Sequence, residues 1–136
     1  EEYYRKISGI LDTEVGYSGG HTVNPNYQEV CTGTTEHAEV VKISFNENII
    51  SYEQILDYFW KCHDPTQLNR QGPDVGRQYR SVIFYYSESQ KKIALKSKIL
   101  KQKSLKSLIV TEICSAKEFY LAESYHQLFI HKKSLV

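Results

Sequence analysis

Residues 37–45, HAEVVKISF, decide the fold class. In an extended chain, side chains two positions apart share a face, so His37, Glu39, Val41, Ile43 and Phe45 line one side of a strand. That side is apolar apart from its first two members, and Glu39 is an acid on an apolar stripe. Two explanations stand. A buried carboxyl group is desolvated, its pKa rises, and it becomes a neutral proton donor near pH 7. Alternatively, His37 or an arginine pairs with it, or the strand lies at a sheet edge where Glu39 meets water.

Working outward, EEYYRKISGI at the start carries Tyr3, Tyr4, Ile7 and Ile10 at helical spacing. The segment LDTEVGYSGG follows as a strand running into a glycine-rich turn. Residues 21–36 then form a long loop with an Asn24-Pro25-Asn26 turn signal, and long loops in compact domains tend to be functional. After the 37–45 strand, Ser51 and Gln54 predict a capping box opening a helix that Pro65 ends. A second polar loop spans residues 63–76. RQYRSVIFYYS predicts a strand with Tyr79, Ser81 and Ile83 on one face. A lysine-rich amphipathic helix, a short strand LIVTEIC and a final helix over AKEFYLAESYHQLFIHKK complete the chain. This order predicts an α+β fold with helices on a largely antiparallel sheet, and a strand preceding Glu1 to complete the packing of the first helix.

With 136 residues and no linker, a single domain is expected. The formal charge of +1 supplies no electrostatic reason to bind nucleic acid or an anionic membrane. No apolar run reaches membrane-spanning length. Cys31, Cys62 and Cys114 are odd in number and lack CxxC spacing, which points to a reducing, cytoplasmic setting rather than a disulfide framework. His37, His63, His126 and His131 lack metal-ligand spacing, and GYSGG lacks the Lys-Ser/Thr of a phosphate loop, so neither metal nor nucleotide is expected. The second loop concentrates His63, Asp64, Asn69, Arg70, Gln71, Asp74, Gln78, Tyr79 and Arg80; it is either a binding surface or a solvated loop bonded to itself. Tyr27 is either a binding hydroxyl or an aromatic anchor for its loop.

Three segments, GYSGGHTVNPNYQEVCTGTTEHAEVVKISF, HDPTQLNRQGPDVGRQYRSVIFY and TEICSAKEFYLAESYHQ, occur in the order and wording of one family. Together they make the chain resemble the A-type peptide methionine sulfoxide reductases from about Val15 to His126. The resemblance implies a ferredoxin-like two-layer α+β sandwich and thiol-dependent reduction of methionine-S-sulfoxide, free or in proteins. It implies no cofactor, and thioredoxin, glutaredoxin or dithiothreitol as reductant. By motif, Glu39 matches the family's proton donor, Tyr27 and Tyr79 its sulfoxide-oxygen-binding tyrosines, and Asp74 its supporting aspartate. Neutral donors suit an oxygen that accepts strongly and leaves poorly.

Three departures accompany the match. The family's nucleophile motif, GCFWG, is expected just upstream of Glu1, so residues 1–136 are expected to lack both the attacking cysteine or selenocysteine and the N-terminal strand, and to be inactive alone. The competing expectation is a remnant that binds methionine or its sulfoxide without reducing it. Glu36 replaces the family's usual glycine before His37, adding a charge near the site. The usual C-terminal resolving cysteine is missing, leaving Cys31, Cys62 and Cys114 as candidates for that role.

Overall fold

The computed structural model describes residues 2–21, 23, 25–31 and 35–122. In chain order its elements are α1 (Glu2–Arg5), β1 (Ile10–Ser18), α2 (Tyr27–Cys31), β2 (Ala38–Phe45) and α3 (Tyr52–Cys62). There follow β3 (Arg70–Gln71), β4 (Asp74–Val75), a 3-10 turn (Arg77–Tyr79), β5 (Val82–Tyr85), α4 (Glu88–Gln102), β6 (Glu112–Ser115) and β7 (Phe119–Leu121). The described residues form two compact units, one drawn from Glu1–Ile50 and Glu118–Val136, the other comprising Ser51–Lys117.

The first unit is built on an antiparallel sheet in the order β2-β1-β7. β1 is central, and from Val15 to Ser18 every side chain is buried. Gly16 permits this: a Cβ there would collide with the Phe119 ring and the Tyr120 carbonyl, so only glycine lets β7 approach. Val15, Tyr17, Val30 and Ala122 form the core, with Val41 of β2 packed on it. The 37–45 strand is therefore present as β2, with Val41, Ile43 and Phe45 half-buried between exposed Lys42 and Ser44.

Two expectations are corrected in this unit. Helical spacing through Ile10 gives only the one-turn α1, because Gly9 (φ +98°) breaks the helix and its carbonyl accepts the Asn46 N–H at 2.8 Å. Phe119–Leu121, placed by periodicity in a final helix, is instead strand β7, since it pairs with Gly16–Ser18 of β1. Residues 116–118 and 122 are not helical either, and 123–133 of that expected helix lie outside the described residues.

In the second unit, Ser51 caps α3 with the predicted box: its hydroxyl accepts the Gln54 N–H while the Gln54 side chain accepts the Ser51 N–H. Leu56 and Trp60 of α3 meet Ile83, Ala94 and Ile109 in one core, each such side chain larger than alanine contributing roughly 1.5–3 kcal/mol. The Trp60 indole N–H is satisfied by Ser97 Oγ at 2.8 Å. β5 and β6 are parallel, joined through α4, and so depart from the antiparallel rule of the other pairs. Helices and mainly antiparallel strands together make the α+β class that the element order predicted.

Candidate active site

Glu39 lies on β2 in register with Tyr17, and it is half-buried. Tyr17, His37 and Ala38 beside it are almost wholly buried, at 1%, 2% and 0% exposure. The turn leading into β2 is locked from both ends. The His21 N–H donates to the Thr35 carbonyl at 3.0 Å, and the Gly20 N–H donates to His37 Nδ1, also at 3.0 Å. Because Nδ1 accepts, the neutral ring carries its proton on Nε2. The His37 ring also meets Tyr120 of β7 edge-on, with centroids 5.5 Å apart. Gly20 is sterically obligatory, since a Cβ there would fall 2.5 Å from the His37 nitrogen. Among the described residues β2 lies at one side of the three-stranded sheet, and Glu39 on it is partly buried.

Tyr27 opens α2, a short helix within what the sequence suggests is a loop. Its signal was available: Asn26 and Glu29 form a reciprocal box, with the Glu29 N–H donating to Asn26 Oδ1 at 2.8 Å and the Asn26 N–H to Glu29 Oε1 at 3.3 Å. Tyr27 is half-buried, and Val30 one turn on is fully buried, which fixes the helix to the core. Glu39 and Tyr27 thus belong to the first unit, Tyr79 and Asp74 to the second.

Tyr79 ends the 3-10 turn rather than opening a strand, so its predicted sharing of a strand face with Ser81 and Ile83 is corrected. The turn prevails because the Tyr79 N–H donates to the Gly76 carbonyl at 3.0 Å. Tyr79 is half-buried between buried Gln78 and Arg80. The Arg80 guanidinium donates to the Arg77 carbonyl at 2.9 Å and lies 3.3 Å from Glu112. Asp74 is exposed on β4, directly after a Gly72-Pro73 turn that joins it to β3.

The second polar loop bonds extensively to itself. Gln71 clamps the Asp64 backbone by donating to its carbonyl at 2.7 Å and accepting its N–H at 3.1 Å. The hydroxyl and N–H of Thr66 both donate to Asp64, holding its carboxyl below the usual carboxylate range. Sequence reasoning placed His63 in this loop but did not find its role. His63 caps the end of α3 by donating from Nδ1 to the Phe59 carbonyl at 2.7 Å, while Nε2 lies 2.7 Å from Ser81 Oγ. Burial pushes the His63 imidazole below its ordinary value, although the Phe59 carbonyl and the Asp64 charge oppose it. A histidine just before Pro65 at a helix end was the available signal.

Cys62 is exposed and its thiol donates to the Phe59 carbonyl at 3.3 Å; Cys114 is half-buried in β6. The Cys31 backbone ends α2, and its side chain lies outside the description. Among the described residues no group of three or more His, Cys, Asp or Glu side chains could hold a metal ion. No helix among them is long and apolar enough to cross a membrane.

The family described as peptide methionine sulfoxide reductase matches residues 1–135. The chain belongs to this family. It is 54% identical to the peptide methionine sulfoxide reductase MsrA of Methanosarcina acetivorans, over all of this chain and 73% of that protein. Its fold matches the crystal structure of reduced Mxr1 from Saccharomyces cerevisiae with a TM-score of 0.92 and 38% identity, covering 99% of this chain and 79% of that one. Mxr1 in complex with Trx2 matches with a TM-score of 0.64 and 26% identity, covering 94% and 73%. The family's reaction is the reduction of methionine sulfoxide.

Proposed function

We propose that residues 1–136 form one functional domain of a protein that reduces methionine-S-sulfoxide, free or in proteins, with the attacking group supplied by a residue other than Cys31, Cys62 and Cys114. A thiolate or selenolate attacks the sulfoxide sulfur, Glu39 protonates the oxygen, and Tyr27 and Tyr79 donate hydrogen bonds to it. Asp74 organises the surrounding hydrogen bonds. The methionine S–O bond breaks, the oxygen passes to the attacking sulfur or selenium, and the bond from that atom to the methionine sulfur breaks, releasing methionine and leaving a sulfenic or selenenic acid. Two reductant thiols then give up two electrons, forming a disulfide and releasing water. The known complex of Mxr1 with Trx2 supports a thioredoxin-like reductant, and a thiol-based cycle suits the cytoplasm.

The observation that carries this proposal is the setting of Glu39, half-buried beside Tyr17, His37 and Ala38 on a strand whose entry is locked. Proton donation to the sulfoxide oxygen uses the carboxylic acid form of Glu39. The nucleophile is not among Cys31, Cys62 and Cys114, which remain candidates for resolving the sulfenic acid. The 136-residue chain incubated with dithiothreitol and methionine-S-sulfoxide is expected to give negligible methionine. Robust turnover would identify one of its three cysteines as the nucleophile and overturn the assignment.

A further inference from the structure

Two residues beyond Tyr79, Ser81 Oγ is the centre of a buried polar chain. It lies 2.7 Å from His63 Nε2 and 2.7 Å from Thr111 Oγ1. Ser81 and Thr111 are 6% and 1% exposed. The direction of the chain follows from its end. The Phe59 carbonyl can only accept, so His63 Nδ1 carries a proton. In the neutral ring Nε2 is then the acceptor, Ser81 donates to it, and the Thr111 hydroxyl donates to Ser81.

The same segment is held on its other side. The Ser81 carbonyl accepts the Glu112 N–H at 3.0 Å, and Arg80 is tied to Arg77 and Glu112. Every residue from Gln78 to Ser81 except Tyr79 is therefore buried, and His63 supplies the link from this turn to the end of α3. A ring doing no more than closing a helix would need only its Nδ1 bond; the second bond, to Ser81, serves the turn.

We infer that His63 is a positioning residue for sulfoxide binding, fixing through Ser81 the turn that carries Tyr79. This rests on the proposal that the Tyr79 hydroxyl binds the sulfoxide oxygen, and the test separates the two. Binding of N-acetyl-methionine-S-sulfoxide amide to the 136-residue chain is followed by NMR titration, with thermal unfolding measured in parallel. Tyr79→Phe is expected to weaken binding about tenfold, the factor one hydrogen bond carries. His63→Leu and Ser81→Ala are expected to weaken it similarly, and His63→Leu to add nothing in the Tyr79→Phe background. His63→Gln, whose amide reaches the Nε2 position and accepts from Ser81, is expected to restore binding. Rescue and non-additivity distinguish positioning from mere stabilisation.

If Tyr79→Phe weakens binding while His63→Leu and Ser81→Ala do not, the inference fails and the role of Tyr79 stands. Additive losses in the double variant overturn the inference as well. Absence of binding by the unaltered chain, or no effect of Tyr79→Phe, overturns both. Should His63→Leu fail to fold, Ser81→Ala decides, because it keeps the His63 bond to Phe59.

Discussion

Glu36 stands at φ +60°, in the left-handed region that favours glycine, where the family pattern usually has glycine. An L-residue pays roughly 1–2 kcal/mol there, partly offset by the flexibility glycine adds to the unfolded chain. Glu36→Gly is therefore expected to stabilise the fold by about 0.5–1 kcal/mol in urea denaturation; destabilisation would contradict the strain. His63 sets a second residue-scale expectation. Burial places its folded-state pKa below the value of about 6.5 that the unfolded chain retains. Between those values only the unfolded chain binds the extra proton, so stability falls as pH drops from about 6.5 through the folded value. His63→Gln should flatten this part of the stability profile, and an unchanged slope would remove His63 as its source. At this scale the sequence was informative about Glu39, whose period-2 position foretold an acid with apolar neighbours. It was silent on the Ser81 partner of His63, because an 18-residue separation leaves no periodic trace.

Elements were legible where their determinants are local. α3 is announced by the Ser51–Gln54 box and ended by Pro65, and α4 and β2 follow their own periods. The failures have two causes, one distant in sequence and one local. β7 is extended because Gly16 admits it beside β1, and residues 77–79 turn because Gly76 supplies the acceptor. Nothing within residues 119–121 encodes their partner on β1, whereas the acceptor for 77–79 is the residue that immediately precedes them. The turn before β2 offers the element-scale prediction. Gly20→Ala would drive a Cβ against backbone atoms of Thr35 and His37, which have little room to move. We expect a loss of roughly 1–3 kcal/mol on thermal unfolding, together with a changed His37 nitrogen spectrum as Nδ1 loses its donor. An unperturbed His37 would show that the lock on β2 is not what holds it.

For the whole molecule, family membership and α+β class were readable because three long segments keep both their order and their wording. The placement of Tyr27 and Glu39 in one unit and of Tyr79 and Asp74 in the other was not, since it depends on how the chain returns through β7 to β1. The central claim concerns Glu39 as the proton donor, and turnover tests it most directly. In a catalytically active form of this protein, methionine-S-sulfoxide reduction is compared before and after Glu39→Gln, with the unfolding midpoint measured alongside. The account predicts a fall of roughly 100-fold or more with the midpoint retained. Equal turnover in the two proteins would contradict it.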